Sequence, residues 1–387
     1  MKNIFFFIDI GFSKRDYDRF DIKKLSKYYN IFIIDLTFFS NKKYIKNIEG
    51  KTFFFKKHIV VRSIKHLNSI LSQTDCHYAF DYLTDYSITN NKIRNLLKKL
   101  KIKLIYFETG LVPPINRNFY ESINRYFRLF LSPLTLVKKI FLIMQQRYFI
   151  YLKSKIKYDY IILSGLAGLN TTKAIKSKKK IFLHSLDYEK YLNFKQSNIT
   201  KKKYFVFIDQ YLPYHPSKFF RKEKSQVTEK NYFPKLNLFF EQIEKSYGIE
   251  IIIAAHPRAN LNRYKTLFKR RKIIKLKTIE LVKNSLGVLT HTSTAISFAI
   301  LYKKPIIFLT SNEIIRSYDD YRVHSYSRLL NCRLFNISNF KKNTKIKKIN
   351  NLFKIDKKRY QLYLNNYVKH PDSESKSIVD IFKTKFK

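Results

Sequence analysis

The sequence is short of several residue types, and each shortage excludes a class of protein. Cysteine occurs twice in 387 residues, as Cys76 and Cys332. Two cysteines cannot build a disulfide framework or a cysteine-based zinc site, so a reducing cytosol fits best. Seven glycines and nine prolines are too few for a collagen-like, linker-like or mucin-like chain. These shortages point to a folded intracellular protein.

Acidic residues are also scarce. Lysine and arginine total 77 against 28 aspartates and glutamates, a formal net charge of +49, while 45% of the residues are hydrophobic. So much apolar material excludes a disordered polybasic chain. The charge has two explanations: the residue bias of an AT-rich coding sequence, or attraction to polyanions such as anionic phospholipid or acidic saccharides. No arginine-rich arm, RNP motif, zinc finger or helix-turn-helix pattern is visible, so no nucleic acid partner is expected.

Long hydrophobic runs are missing too. The first apolar run ends after five residues at Asp9, which is too short for a signal peptide and predicts a buried first strand. Nowhere do about 18 uncharged apolar residues follow one another, so no spanning helix is expected. The nearest approach, 126–153, is interrupted by basic residues. It fits either a helix on an anionic membrane surface or an amphipathic helix packed on its own domain. We expect a cytoplasmic protein, attached peripherally to the inner face of the cytoplasmic membrane around Arg125–Lys155.

What the sequence does contain is a repeated alternation of short apolar runs with longer amphipathic ones, typical of parallel sheets with crossover helices. A lysine-rich stretch at 195–203 interrupts it. We therefore predict two α/β domains, 1–195 and 196–387, the second ending in a basic tail. The predicted strands are 3–9, 31–36, 57–61, 77–80, 103–107, 159–163, 180–183, 204–209, 249–255, 286–290 and 304–309. The main predicted helices are 21–29, 62–73, 87–100, 229–246, 278–284 and 293–302.

Several common motifs are absent. The sequence has no phosphate-binding loop of the ATPase type, no dinucleotide-binding glycine fingerprint and no nucleophile elbow of the hydrolases. Asp16-Tyr17-Asp18 spells a triplet that could hold a divalent cation, but it lies among basic residues directly after the first strand. A helix-entry loop explains it, so neither a metal nor a cofactor is expected.

Ligands of doubly wound sheets bind beyond the carboxyl ends of the strands, so polar residues directly after predicted strands are the candidate site residues. Four clusters qualify: Glu108-Thr109-Gly110, Asp209-Gln210, His256-Pro257-Arg258 and His291-Thr292-Ser293-Thr294.

Two of these clusters fit a phosphate. Arg258 could grip it with its guanidinium fork and His256 with one ring N–H, with Pro257 ending the strand, unless His256 is an incidental turn residue. Ser293 and Thr294 would cap the helix that follows, and the same hydroxyls with free N–H groups could bind an anion. We expect His291 to lie in the same donor site.

A carboxylate at a strand end could act as a general base for an acceptor hydroxyl. Glu108 is followed by Gly110, which permits a tight turn, so it is either this base or a solvated loop residue. Asp209, beside Gln210, is expected to help hold the donor. We assign Glu108 as base and Asp209 as a donor-site residue.

Taken together, an acidic-x-Gly turn, a His-Pro pair and a Ser/Thr cluster in this order resemble bacterial glycosyltransferases of the GT-B fold. The closest resemblance is to sialyltransferases that use a CMP-activated sugar. Here Glu108-Thr109-Gly110, His256-Pro257 and Ser293-Thr294 carry the likeness, although Thr109 stands where that family has a second acid. The run from Leu286 to Phe308 also resembles the polyol-phosphate polymerases of wall teichoic acid synthesis, which use a CDP-activated donor.

The resemblance implies two Rossmann-like domains that face each other across a cleft, the first binding the acceptor and the second the nucleotide sugar. It implies an inverting, metal-independent glycosyltransferase that moves a nonulosonic acid such as sialic acid from a CMP donor to a bacterial surface glycan. The alternatives are a CDP- or UDP-dependent transferase of surface polymer synthesis and a non-catalytic polyanion-binding protein.

Overall fold

The structure is a computed structural model. It describes residues 1–40, 55–84, 86–108, 110–114, 133–194, 203–214, 227–315, 317–341 and 353–386. The chain forms two compact units. Unit 1 comprises Met1–Leu111, Phe119–Leu192 and Asn365–Lys387, and unit 2 comprises Val112–Asn118 and Asn193–Leu364.

Unit 1 is built on a seven-stranded parallel sheet with the order β3-β2-β1-β4-β5-β6-β7. Its strands are β1 Asn3–Ile8, β2 Asn30–Asp35, β3 His58–Val60, β4 Tyr78–Tyr82, β5 Lys103–Glu108, β6 Lys157–Leu163 and β7 Lys176–Phe182. Its helices are α1 Lys14–Arg19, α2 Ile22–Leu25, α3 Thr37–Ser40, α4 Ile64–Gln73, α5 Ile88–Lys99, α6 Pro133–Ser154, α7 Ala167–Thr171 and α8 Leu186–Leu192.

Unit 2 repeats this plan with a six-stranded parallel sheet in the order β10-β9-β8-β11-β12-β13. Its strands are β8 Tyr204–Ile208, β9 Glu250–Ala255, β10 Ile273–Lys275, β11 Gly287–Thr290, β12 Ile306–Thr310 and β13 Arg333–Asn336. Its helices are α9 Glu229–Tyr247, α10 Leu261–Leu267, α11 Thr278–Asn284, α12 Ile296–Leu301, α13 Tyr318–Leu330 and α14 Lys357–Tyr363.

The first strand shows why the chain folds into layers. Side chains alternate across a strand, and in β1 Phe5 and Phe7 pack into one hydrophobic cluster while Phe6 packs into another on the opposite face of the sheet. All three are at most 1% exposed. A parallel strand covered on both faces must be apolar throughout, which the opening run of the sequence provides.

All eleven predicted strands are present, within a few residues of their expected limits. Two strands were missed, β10 and β13. Both lie at the edges of the unit 2 sheet and are only three and four residues long, so they lack a long apolar run. The helix predicted over 21–29 is reduced to α2, which ends at Leu25 and is followed by turns up to Asn30, where β2 begins.

The C-terminal segment differs from the predicted domain boundaries. We expected residues up to 387 to belong to the second domain, but 365–387 pack with unit 1. Helix α15, Ile378–Lys385, places Ile381 and Phe382 in the same cluster as Phe6. The chain therefore returns to its first unit because the apolar face of α15 completes that core.

The segment 126–153 is described from residue 133 onward, where it forms α6. Within the part of the chain that the structure describes, no helix is long and apolar enough to cross a membrane.

Candidate functional site

Unit 2 contains a point where the strand order reverses. From β8 the chain moves to β9 on one side of the sheet, and β11 then pairs with β8 on the other side. The crevice beyond the carboxyl ends of two such strands is where doubly wound sheets bind ligands. In this unit the residues at the reversal are Gln210, two residues after β8, and Thr292, two residues after β11.

Gln210 and Thr292 hold the two sides of the reversal together. The Gln210 amide donates from Nε2 to Thr292 Oγ1 at 2.8 Å, and the Thr292 backbone N–H donates to Gln210 Oε1 at 2.5 Å. These two reciprocal hydrogen bonds hold the loop after β8 against the loop after β11, and all the groups involved are uncharged. The crevice floor is thus polar and uncharged, and its charge comes from the loop after β9.

The loop after β9 is fixed by Asp209, which follows β8 directly and is buried. Its Oδ2 accepts the His256 backbone N–H at 3.1 Å and the Tyr264 hydroxyl at 2.7 Å, while Oδ1 accepts the Tyr211 N–H at 2.9 Å. Burial raises the pKa of Asp209, and the Tyr264 hydroxyl and backbone N–H groups act against that rise. The described bonds of Asp209 orient neighbouring protein groups, so it supports the site from beneath.

Tyr211 is the strained member of this arrangement. Its φ is +57°, a left-handed conformation that is uncommon for a bulky residue and often marks a functional site. The Asp209 carboxylate stabilises this turn by accepting the Tyr211 N–H. As a result the Tyr211 ring lies parallel to His256, with 5.8 Å between ring centroids. The position of the His256 ring is therefore set by two contacts: the hydrogen bond from its backbone N–H to Asp209 and the stacking of its ring on Tyr211.

The hydrogen bonds of His256 also indicate which ring nitrogen can donate. Nδ1 accepts the Arg258 backbone N–H at 3.2 Å, so the neutral ring carries its proton on Nε2. His256 and Pro257 are partly exposed and Arg258 is exposed. The turn therefore presents an imidazole N–H donor and a guanidinium at the carboxyl edge of the unit 2 sheet, the two groups that the sequence predicted for a phosphate.

The Ser/Thr cluster lies where expected but is not a helix cap. We predicted that a helix begins at residue 293; α12 begins at Ile296, its N-cap is Ala295 and no side chain caps it. Ser293 Oγ instead accepts the Ala295 N–H at 3.2 Å within the preceding turn. Ser293 is partly exposed and Thr294 exposed, so both hydroxyls remain at the surface of the turn next to Thr292.

His291 does not join these groups. Its ring is buried at 1% exposure, with Nδ1 2.6 Å from the Leu309 carbonyl and Nε2 2.7 Å from the Tyr232 hydroxyl. A backbone carbonyl can only accept, so Nδ1 carries the proton and Nε2 accepts from Tyr232. Burial lowers the pKa of His291 to about 4. We had expected a donor-site residue; the inward ring makes His291 a neutral core residue that braces β11.

The carboxyl edge of the unit 1 sheet is acidic. Four carboxylates lie at or beside strand ends there: Asp9, Asp35, Asp81 and Glu108. Asp9 accepts from Thr84 and Asn90, and Asp81 is paired with the buried Arg94, whose Nε lies 2.6 Å from it. Burial acts to raise the pKa of Asp35, but hydrogen bonds from His58 and Thr37 leave it below its ordinary value.

Glu108 differs from these acids. Burial raises its pKa, opposed by a hydrogen bond from Tyr106 and by the charge of Lys153. The Tyr106 hydroxyl donates to Glu108 Oε2 at 3.0 Å. A partly exposed carboxylate whose pKa is raised is a stronger proton acceptor than an ordinary one. Gly110 follows at φ +72°, with no atom within 4 Å of an added Cβ, so the chain turns sharply after this strand. Thr109 lies outside the described residues.

Sequence reasoning missed three residues of these arrangements: Tyr106, Lys153 and Tyr211. Tyr106 could have been found, because alternation along β5 places it on the same face as Glu108. Lys153 comes from α6, 45 positions later in the chain, and Tyr211 is placed by backbone strain. No local pattern signals either of them.

The possible metal triplet after β1 has a local explanation. Asp16 completes a capping box with Ser13 at the start of α1. Asp18 forms an ion pair with Lys14, which lies one helical turn earlier, with 2.6 Å between Oδ1 and Nζ. Among the residues described, no three His, Cys, Asp or Glu side chains lie close enough together to hold a metal ion.

Comparisons with known proteins bear on the fold. No protein-family profile and no curated protein matches the sequence. Among solved structures, the wall teichoic acid polymerase TagF (H444N variant) superposes with a TM-score of 0.52 at 12% identity, over 99% of this chain and 88% of that one. A Listeria monocytogenes protein assigned as a UDP-N-acetylglucosamine 2-epimerase gives 0.50 at 10% identity, over 97% and 94%. The Methanocaldococcus jannaschii UDP-GlcNAc 2-epimerase gives 0.49 at 16% identity, over 99% of both chains. The chain therefore has the GT-B fold of two Rossmann-like units predicted from its sequence.

Proposed function

We propose that the protein is a metal-independent transferase of surface polymer synthesis that takes its donor group from a CDP- or UDP-linked substrate. The observation that carries this proposal is the pairing of Gln210 with Thr292 at the strand reversal of unit 2, beside a turn that presents His256 and Arg258. A polar crevice with two cationic or donor groups at its edge suits a diphosphate.

In this proposal His256 and Arg258 bind the donor phosphates, and Ser293 and Thr294 donate hydroxyl hydrogen bonds to them. As the bond to the leaving phosphate breaks, negative charge grows on its oxygens. Positive groups that are already in place stabilise that charge without reorganising. His256→Ala should therefore lower kcat by about 10²–10³, the scale of losing one such donor.

The fold comparison favours a diphosphate-linked donor over a CMP-linked one. One structure of the TagF polymerase, with a TM-score of 0.52, was obtained after a soak with CDPG. The order of Glu108, His256 and Ser293 in the sequence favours a CMP-linked sialic acid as the second candidate. Both donors share the pyrimidine nucleotide and the phosphate, so the same side chains would serve either one.

For the acceptor side we propose Glu108 as general base. It would take the proton of an acceptor hydroxyl as the new bond forms. Its raised pKa supports this role, whereas Asp81 is neutralised by Arg94. Growing surface glycans are made at the inner face of the cytoplasmic membrane, where anionic lipids attract each Lys or Arg by about 1 kcal/mol. We propose that the basic region around Arg125–Lys155 keeps the enzyme there.

A thermal-shift screen with CMP, CDP, UDP and GDP tests the proposal. A nucleotide at about 100-fold its Kd adds about 2.7 kcal/mol of stability. We expect CDP or UDP to raise the melting temperature and GDP to leave it unchanged. A response to CMP but not to the diphosphates would replace the donor with a CMP-sugar. No response, with salt-sensitive binding to heparin, would favour the polyanion-binding alternative.

A further inference from the structure

Helix α6 carries a stripe of exposed apolar side chains. Val137, Phe141, Met144, Tyr148 and Tyr151 follow one another at intervals of four and three residues, which places them on one face of an α-helix. Each is between 49% and 67% exposed. Ile140 lies beside them and is 51% exposed, and Ile143, Phe149 and Ile150 on the remaining sides of α6 are 38–55% exposed, so the apolar exposure is not confined to this face. Soluble proteins rarely leave such a continuous apolar patch uncovered, so the stripe requires a partner.

The position of Lys153 shows which way the stripe points. Its ammonium lies 3.3 Å from the Thr171 carbonyl and within 6 Å of the Tyr86 and Tyr106 ring centroids. Lys153 therefore faces the body of unit 1. At about 100° per residue, Tyr151 and Met144 lie on the opposite side of the helix. The stripe therefore runs along the side of α6 opposite Lys153.

Charge identifies the class of partner. Between Glu121 and Asp159 the sequence contains eight basic residues and no acidic one. On a helical projection the exposed Arg147 lies on one flank of the stripe. A second copy of α6 would bring these cations together with no acid to pair them. A nucleic acid would satisfy the cations but leave the stripe in water. An anionic lipid surface matches both features, because it offers phosphates at the level of the cations and acyl chains beneath.

We propose that α6 docks the protein on an anionic phospholipid surface by inserting this stripe, from Val137 to Tyr151, among the lipid headgroups. The helix would lie in the plane of the interface, with Arg147 at the level of the lipid phosphates. This mode of attachment deepens the membrane attachment proposed above and rests on it, but it does not rest on the proposed reaction. It differs from simple adhesion of a basic face, because apolar insertion persists when salt screens the charges.

Vesicle sedimentation tests the proposal with the full chain. Vesicles of phosphatidylcholine alone are compared with vesicles that also contain phosphatidylglycerol, at low salt and at high salt. The test variant is Phe141→Ser with Met144→Ser, and the matched control is Ile64→Ser with Leu100→Ser, two exposed apolar residues of unit 1 outside α6. The melting temperature of each variant confirms that it folds.

We expect the wild type to bind the anionic vesicles preferentially and to retain part of that binding at high salt. The test variant should bind at least about 30-fold more weakly, since it removes most of two apolar side chains from the interface. The control should bind like the wild type. Equal binding by wild type and test variant would overturn the proposal. So would an equal loss in the control, or a test variant that changes oligomeric state without changing lipid binding.

Discussion

Asp209→Asn is the substitution that tests the construction of the donor site most sharply. The carboxylate accepts three described hydrogen bonds: from Tyr211 at Oδ1, and from His256 and Tyr264 at Oδ2. An amide has one oxygen, so its NH₂ group must face at least one of these donors. If the oxygen takes the Oδ2 position, the Tyr211 N–H loses its acceptor. If it takes the Oδ1 position, the His256 N–H loses its acceptor.

Either orientation leaves a buried donor unsatisfied, which costs about 1–3 kcal/mol. For a unit of this size we expect the melting temperature to fall by about 2–4 °C for each kcal/mol. Nucleotide binding should weaken as well, because the site loses one of the two supports of the His256 ring. In the variant, nucleotide binding must also order the loop that carries His256. Each 1.4 kcal/mol spent on this ordering raises the Kd about tenfold.

The matched control is Tyr264→Phe. It removes one donor to Asp209 but leaves both loop N–H groups paired, so it should cost about 1 kcal/mol of stability and leave the nucleotide Kd unchanged. Calorimetry measures the stability of each variant and titration calorimetry the Kd for CDP or UDP. Wild-type stability and Kd for Asp209→Asn would refute the reasoning. A weaker Kd at wild-type stability would instead make Asp209 a direct ligand of the donor.

Three further predictions concern unit 1. Glu108→Gln keeps the shape of the side chain and removes its basicity, so product formation should be lost while the nucleotide Kd is unchanged. If Glu108→Gln transfers normally and Asp209→Asn does not, Asp209 is the general base and Glu108 is not. Lys153→Gln removes a charge that lowers the pKa of Glu108, so that pKa should rise. Because the base must be deprotonated to act, the acidic limb of the kcat–pH profile should move to higher pH. An acidic limb that does not move would show that Lys153 does not influence the catalytic base. Arg94→Met leaves the buried Asp81 without its cation and should cost about 3–5 kcal/mol in denaturant unfolding, and adding Asp81→Asn should recover part of that loss; a cost below 1 kcal/mol would contradict the pairing.

Much of the fold could be predicted because long apolar runs mark the buried parallel strands. The edge strands β10 and β13 were missed because they are short, and the lysine-rich start of β7 hid its first residues. The return of α15 to unit 1 could not be predicted, since it depends on a contact between residues more than 350 positions apart, such as Tyr29 with Phe382.

The sequence likewise predicted part of the candidate site. Placing polar residues after strands found His256, Arg258 and Gln210, because a parallel sheet brings its carboxyl ends to one edge. The same rule could not show that the His291 ring turns inward, since a residue beyond a strand end no longer follows the strand alternation. Nor could it show that Tyr106 and Lys153 lie beside Glu108, because α6 supplies part of that environment.

The central claim is that the carboxyl edge of the unit 2 sheet binds a nucleotide through His256 and Arg258. Titration calorimetry with CDP and UDP tests it on three proteins: the wild type, His256→Ala with Arg258→Gln, and Arg270→Gln. Arg270 is an exposed cation of the same unit, located between α10 and β10 on the amino side of that sheet. We predict measurable binding by the wild type and by Arg270→Gln, and a loss of at least about tenfold in the double variant, the effect of one charge-assisted hydrogen bond. Unchanged binding by the double variant, or an equal loss in Arg270→Gln, would contradict the claim.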